Sequence, residues 1–265
     1  MKIVEGDNFS NHYNSTCGFL HNFSLAHKDF VGNMIKKNPT FLKRLIETMG
    51  SLRGTERYLG FNIIESHMAN HGEYLVELGL MEKVKAWIKS STDPREMLIY
   101  LKFLKGCTQV PVLRDNCLAL DLLTVVLDKS AVDYPMNIDV YEHMVQFFNK
   151  TLKSEDELTD FAKKGNLTKI VVMANNLSEQ LENDSAIMDL IEKMFENKKS
   201  CAEVMKSFDE LIRIFSNLIE KRASKYMRDW HAKKSCKEIW THNYVPSNFN
   251  FQFLRQREKD ILDIL

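Results

Sequence analysis

Hydrophobic residues recur along most of this chain with the three-to-four-residue spacing of amphipathic α-helices. Several blocks share one ending, in which a turn-forming residue precedes a new apolar helical face. These endings are KKNPTFLKRLIETM (36–49), ELGLMEKVKAWI (77–88), RDNCLALDLLTVVL (114–127), KKGNLTKIVVMANNL (163–177) and KSFDELIRIFSNLI (206–219). The pattern therefore predicts an all-α protein of about five similar helical units.

One residue marks each predicted junction between two helices. The markers are Asn38, Gly79, Asn116, Gly165 and Asp209, which lie 41, 37, 49 and 44 residues apart. Glycine and asparagine adopt the left-handed conformation that ends a helix, and asparagine or aspartate can cap the next helix. We therefore expect Gly79 to lie between two helices, at positive φ, and not inside one.

Repeats of this length are typical of armadillo and HEAT proteins. The segments HNFSLAHKDFVGNMIKKNPTFLKRLIETM (21–49) and FNIIESHMANHGEYLVELGLMEKVKAWI (61–88) resemble armadillo repeats, and DELTDFAKKGNLTKIVVMANNLSE (156–179) has the same ending. The resemblance implies a right-handed α-solenoid, an armadillo-like superhelix with three helices per unit. It covers residues 19–219, after a leader over residues 1–18. An irregular all-α bundle without a true repeat is the alternative.

One stretch of the repeat region reads as a long loop, DKSAVDYPMNID (128–139), because Pro135 and several aspartates interrupt the apolar pattern. It is interpreted as a longer turn between two helices. An insertion on one face and a hinge between two parts of the repeat are the alternatives.

Composition narrows the class of protein. The 36 basic and 36 acidic side chains cancel, so general attraction of the whole chain to nucleic acid is not expected. The 10 glycines and 5 prolines are too few for the turns of an all-β fold. The five cysteines are scattered, which indicates reduced structural thiols. Without a signal peptide or an apolar membrane span, we expect a cytoplasmic protein, or a nuclear one.

The sequence contains no familiar catalytic or phosphate-binding motif. Histidine and cysteine do cluster near both ends of the chain, at His12, Cys17, His21 and His27, and at His231, Cys236 and His242. Their spacings do not match those of zinc ligands or of a cysteine nucleophile with its base. We therefore expect no enzymatic activity, no cofactor and no metal site.

In a helical solenoid the third helix of each unit lines a concave wall, and the solvent-facing side chains of that wall bind the partner. We predict a non-enzymatic scaffold or adaptor that binds a segment of another protein there, without membrane contact. Helical periodicity places on this wall Lys43, Glu47, Lys85, Lys89, Thr124, Asp128, Asn175, Arg213 and Asn217. Trp87 is interpreted either as a contact residue or, since Val84 and Ile88 are its neighbours, as part of the core.

The pattern changes at residue 220. The segment EKRASKYMRDWHAKKSCKEIW (220–240) is rich in lysine and arginine, interleaved with Tyr226, Trp230 and Trp240. It predicts a basic helix that caps the end of the repeat, with Trp230 as a candidate contact residue. Basic residues with aromatic neighbours also bind phosphate backbones. A ribonucleoprotein- or ribosome-associated factor is therefore the alternative function.

Three phenylalanines alternate with polar residues in NYVPSNFNFQFLRQ (243–256), at Phe249, Phe251 and Phe253. A period of two places their side chains on one side of an extended segment. We therefore predict an extended tail that docks in a groove of this chain or of a partner.

Overall fold

Helices account for all regular secondary structure in the described part of the chain. The computed structural model describes residues 12–38, 40–177, 185–207, 211–214, 216–217 and 221. Thirteen α-helices and one 3-10 helix have defined bounds in these ranges, which contain no β-strand. The predicted all-α class is therefore confirmed. The predictions for Asp209, Trp230, Phe249, Phe251 and Phe253 lie outside the described residues.

The helices follow one another in triplets. The first triplet contains α1 (Tyr13–Ala26), α2 (Lys28–Lys37) and α3 (Thr40–Ser51). The second contains the 3-10 helix (Gly54–Arg57), α4 (Tyr58–Glu77) and α5 (Leu80–Ser90). A non-helical backbone at His71, with φ −132°, divides α4 into two segments. These two segments are the first and second helices of this triplet, and α5 is its third.

Two further triplets are complete and a fifth begins. The third contains α6 (Pro94–Cys107), α7 (Pro111–Ala119) and α8 (Leu122–Asp133). The fourth contains α9 (Ile138–Thr151), α10 (Glu155–Lys163) and α11 (Asn166–Asn176). The fifth starts with α12 (Ser185–Glu196) and α13 (Lys198–Met205), and residues 211–214 are again helical.

Side-chain caps fix where several of these helices begin. Asp93 accepts a hydrogen bond from the backbone N–H of Arg95 and caps α6, which starts with Pro94. Ser154 and Glu157 form a reciprocal capping box at α10. Such caps satisfy backbone donors that have no partner inside the helix, and each stabilises the helix start by about 1 kcal/mol.

Left-handed residues precede the third helix in three consecutive triplets. Gly79, Asp121 and Gly165 have φ values of 67°, 53° and 68° and lie 42 and 44 residues apart. The predicted junctions at Gly79 and Gly165 are confirmed, and Asn38 ends α2. The predicted junction at Asn116 is wrong. This residue lies inside α7, because buried Leu113 and Cys117 continue the helical stripe past it.

The predicted loop over residues 128–139 is mostly helix. Helix α8 continues to Asp133, and only residues 134–137 connect it to α9. Ser130 is fully buried, and Tyr134 is 6% exposed with its hydroxyl 3.2 Å from the Ser91 hydroxyl. Residues 134–137 therefore form a short turn between two triplets. Tyr134 in this turn packs against the end of α5, the third helix of the second triplet.

Equivalent helices of neighbouring triplets pack on one another. First helices contact first helices, as α6 contacts α9 and α9 contacts α12. Third helices contact third helices, as α5 contacts α8 and α8 contacts α11, and the second helices α10 and α13 also pack together. A single hydrophobic core cluster runs from Tyr13 to Ile214 through these contacts.

Hydrogen bonds between triplets join equivalent positions. Nine of them connect residues 41–43 positions apart: Gly54 with Glu96, Arg57 with Tyr100, Ser91 with Tyr134, Lys105 with Gln146, Arg114 with Glu157, Asp121 with Lys164, Thr124 with Asn166, Asp128 with Lys169, and Asp156 with Lys199. These separations match the spacing of the left-handed residues. Neighbouring triplets therefore contact each other mostly through residues 41–43 positions apart in the sequence.

Gly79 allows a direct test of the left-handed junction. We expect Gly79→Val to lower the free energy of unfolding by about 2 kcal/mol, because a β-branched residue is strained at positive φ. A Cβ at this position would meet only the Glu82 carboxylate, at 3.7 Å, so the loss would come from the backbone and not from crowding. Chemical denaturation followed by circular dichroism measures the change.

The matched comparisons are Gly79→Asn and Gly18→Ala. Asparagine tolerates this conformation, and an aspartate already occupies the equivalent position 121, so the asparagine variant should lose less. Gly18 lies inside α1 with open space around it, so alanine there should increase stability by about 0.5–1 kcal/mol. Equal stability of Gly79→Val and the wild type would rule out a left-handed Gly79.

Candidate partner-binding surface

Each third helix buries two neighbouring stripes of side chains and leaves one side in solvent. On α8, Leu123, Val126 and Leu127 are buried, whereas Asp128 is exposed. On α11, Val171 is buried, whereas Lys169 is exposed and Val172 is 39% exposed. We call the solvent side of α5, α8 and α11 the third-helix face; it includes Lys85, Lys89, Thr124, Asp128, Lys169, Val172 and Asn175.

Most predicted wall residues are at least partly accessible. The exposed ones are Lys43, Glu47, Lys89, Asp128, Arg213 and Asn217, and the half-buried ones are Lys85, Thr124 and Asn175. Hydrogen bonds connect Lys85, Thr124 and Asp128 to the next triplet. Both the wall formed by these residues and their role in binding stay predictions.

Trp87 belongs to the core and not to the exposed face. It is 8% exposed, its ring centroid lies 6.0 Å from that of Phe61 in an edge-on arrangement, and the Arg57 guanidinium lies 4.5 Å above it. Of the two interpretations left open by the sequence, the structure shows the core one. The physical reason is that Trp87 is on the side of α5 that faces α4.

A chain of polar contacts joins the starts of α8 and α11. The Asn166 amide donates to the Thr124 hydroxyl at 3.3 Å, and this hydroxyl donates to Asp121 at 2.8 Å. The Lys164 ammonium contacts both Asp121, at 3.1 Å, and Asp160, at 2.7 Å. On the third-helix face, Lys169 pairs with Asp128 at 2.6 Å.

Sequence reasoning had identified only Thr124 and Asp128 among these contacts. Asp121 is missed because the third junction is predicted at Asn116, and Asp160, Lys164, Asn166 and Lys169 are missed because their contacts depend on how the two triplets pack. The 44-residue distance between the left-handed residues Asp121 and Gly165 is the signal that would have aligned the two junctions.

A cavity of about 250 Å³ lies beside these contacts, between the third and fourth triplets. Its apolar side is formed by Leu118, Leu123, Leu152 and Phe161, and its polar side by Asp121, Asp156, Glu157, Asp160, Lys164 and Asn166. We call it the junction cavity. The lining therefore combines an apolar surface with four carboxylates and one ammonium group.

The charged groups of the junction cavity differ in how far they are already engaged. Burial alone would raise the pKa of Glu157, but the N–H groups of Lys153 and Ser154 and the Arg114 guanidinium lower it below its ordinary value. The hydrogen bond to Asp160 raises the pKa of Lys164 above its ordinary value, and that to Asp121 adds to this effect. Glu157 is therefore committed to capping α10 and pairing with Arg114, whereas Asp121 and Asp160 share one cation.

Three cysteines in the described residues are buried and protonated. Cys17, Cys107 and Cys117 are 0% exposed. Burial raises the pKa of Cys17 and of Cys117 to about 12 and raises that of Cys107 well above its usual value. Since a thiolate is the reactive form, these side chains act as small apolar groups of the core.

Thiol alkylation should separate these cysteines from Cys201, which is partly exposed. At pH 8 a thiol of pKa about 12 is ionised in about one molecule in ten thousand, so Cys17 and Cys117 should react at least about a hundredfold more slowly than Cys201. Iodoacetamide labelling of the folded chain, followed by peptide mass spectrometry, measures the rates. Equal rates at Cys117 and Cys201 would contradict the buried core around α7.

Comparisons with protein-family models, with curated proteins and with solved structures gave no significant match. Within the described ranges, no three His, Cys, Asp or Glu side chains are grouped so that they could hold a metal ion. In the same ranges no helix is both long and apolar enough to cross a membrane.

Proposed function

We propose that this chain is an armadillo-like helical-repeat scaffold whose third helices bind a segment of another protein. The observation that carries the proposal is the shared register between triplets, with contacts between like helices and hydrogen bonds 41–43 residues apart. Units that contact mainly their neighbours in this way are typical of α-solenoids. The proposal includes the right-handed superhelix implied by the armadillo resemblance.

The chemistry of the third-helix face suits an extended partner segment. Its charges are mixed, since Lys89 and Asp128 are exposed and Asp128 is paired with Lys169. Val172 adds partly exposed apolar area between polar residues. Such a face favours a partner with alternating apolar and polar side chains over a purely charged one.

The proposed role is non-enzymatic, as an adaptor in a reducing compartment such as the cytoplasm. Support comes from the thiols, because the four described cysteines are free and three of them are buried and protonated. These groups favour a structural role for the cysteines over a nucleophilic one.

Site-specific photo-cross-linking tests the third-helix face. The full chain would carry benzoylphenylalanine at Val172, on α11, or at the exposed position Asp189, on the first helix α12. We expect a discrete protein adduct from position 172 that position 189 does not give. The adduct would then be identified by mass spectrometry and its binding measured with purified components. Adducts only from position 189 would reject the proposed face.

The salt dependence of partner binding distinguishes the scaffold from the ribonucleoprotein alternative. That alternative depends on residues 220–240, almost all of which lie outside the described ranges. We expect binding of the cross-linked partner to weaken modestly between low and physiological salt. A loss of about a thousandfold or more would indicate phosphate contacts and favour the alternative.

A further inference from the structure

We infer that the junction cavity binds an arginine side chain carried by the partner segment. This inference rests on the proposed scaffold function and names the chemistry that the partner must offer. Its site, at the turns that precede α8 and α11, is separate from the exposed residues Lys89 and Asp128 of the third-helix face.

The size and apolar side of the cavity fit one long side chain. Its volume of about 250 Å³ lies below that of sites for drug-sized ligands, which begin near about 300 Å³. Leu118 is half-buried, and together with the small parts of Leu123, Leu152 and Phe161 that reach the cavity wall it offers apolar contact to an aliphatic stem. A short or purely polar side chain would leave this apolar surface uncovered.

The carboxylates of the cavity favour a cation. Glu157 is occupied by Arg114 and by the start of α10, but Asp121 and Asp160 both depend on the single ammonium of Lys164. The Asp160 side chain is 64% exposed and the Asp121 side chain 46% exposed, so both can accept further hydrogen bonds.

Asn166 gives independent support for a donor ligand. It is fully buried and lines the cavity, and its side-chain oxygen has no hydrogen-bond partner among the described residues. The Thr124 hydroxyl donates to Asp121 and must therefore accept from Asn166, which fixes the Asn166 amide as donor on that side. Its oxygen is thus an unmatched acceptor, and such groups are costly when buried.

Arginine meets these requirements better than lysine. A guanidinium presents five N–H donors in a plane, so separate N–H groups can donate to an amide oxygen such as that of Asn166 and to a carboxylate such as that of Asp160. A lysine would offer a compact ammonium, which the cavity already has in Lys164.

The probe for the test is a nine-residue peptide of glycine, serine and leucine with one central arginine. Its matched control has citrulline at that position, which keeps the shape but removes the charge. Nuclear magnetic resonance titration of the full chain measures both dissociation constants and follows the Asn166 side-chain amide. We expect the arginine peptide to bind at least about tenfold more tightly and to shift the Asn166 signal. Equal binding of the two peptides would overturn the inference.

Three variants test the site with opposite expected signs. Asp160→Asn, at an exposed side chain, and Asn166→Leu should each weaken binding of the arginine peptide about tenfold. Lys164→Gln should instead strengthen it, because it removes the cation that competes for Asp121 and Asp160. Asp189→Asn, the same change at an exposed position outside the cavity, should leave binding unchanged. Weaker binding by Lys164→Gln would reject the cation site.

Failure of this inference can be distinguished from failure of the scaffold proposal. Asp128→Lys changes the third-helix face but no residue of the cavity. It should therefore weaken binding of the cross-linked partner without changing binding of the arginine peptide. If Asp128→Lys weakens binding of the cross-linked partner but Asp160→Asn does not, the scaffold proposal stands and the arginine site is rejected. If the arginine peptide binds as expected but position 172 gives no adduct, the face is rejected and the cavity stands.

Discussion

Replacing Arg57 with methionine is expected to lower the free energy of unfolding by about 3 kcal/mol or more. Arg57 is only 8% exposed, although arginine is among the residues least often buried. Each of its three guanidinium nitrogens donates a hydrogen bond: Nε to the Met49 carbonyl at 2.8 Å, Nη2 to the Leu52 carbonyl at 2.7 Å, and Nη1 to the Tyr100 hydroxyl.

The loss is expected to be large because Arg57 connects three triplets. Met49 and Leu52 end the first triplet, Trp87 beneath the guanidinium belongs to the second, and Tyr100 belongs to α6 of the third. Methionine would fill part of the volume but would remove the Arg57 donor from the Leu52 carbonyl and the Tyr100 hydroxyl, while the Met49 carbonyl would keep only the longer hydrogen bond from the Leu52 N–H, at 3.3 Å. Unsatisfied buried groups each cost about 1–3 kcal/mol.

Urea denaturation of the two variants Arg57→Met and Arg95→Met measures the effect. Arg95 is 79% exposed and pairs with Asp93 at the surface, so its loss should change stability far less than the loss of Arg57. A double-mutant cycle with Tyr100→Phe would isolate the contact between triplets. If the two arginine variants were equally stable, Arg57 would not have the buried role described above.

The junctions at Gly79 and Gly165 were predictable from sequence, but the one between them was not. The turn before a third helix needs a residue that tolerates positive φ. At positions 79 and 165 this residue is glycine, so the sequence alone indicates the turn. Asn116 and Asp121 are both turn formers, so local propensity cannot choose between them. The choice is made by the burial of Leu113 and Cys117, which extends α7 past Asn116.

Side chains that act between triplets were the least predictable part of the structure. A hydrophobic pattern predicts that Arg57 lies at the surface, because arginine is charged. Its burial depends on backbone carbonyls at the end of α3 and on Tyr100 of another triplet, which the pattern does not contain. The junction cavity likewise depends on the register between α8 and α11. Such contacts follow from sequence only once every junction is aligned, and the Asn116 assignment shifted one alignment by five residues.

Gly60→Ala is expected to lower the free energy of unfolding by about 2–3 kcal/mol, although it adds one methyl group to a helix. A Cβ at Gly60 would lie 2.4 Å from the Tyr13 hydroxyl oxygen and 2.5 Å from the Met49 sulfur. Tyr13 is 2% exposed and Met49 0% exposed, so neither can move into solvent. The close approach of α4 to α1 and α3 therefore requires a residue without a side chain.

Gly106→Ala is the matched control for this prediction. A Cβ at Gly106 would also meet an atom at 2.4 Å, but that atom is a carboxylate oxygen of Glu65, an exposed and flexible side chain. Glu65 can rotate away, and alanine is favoured over glycine in a helix, so stability should change by less than about 1 kcal/mol. Thermal and urea denaturation of both variants measure the difference. If Gly106→Ala were the more damaging change, rigidity of the neighbours would not be what decides the effect of the added methyl group, and the packing of α1 and α3 on Gly60 would be looser than described.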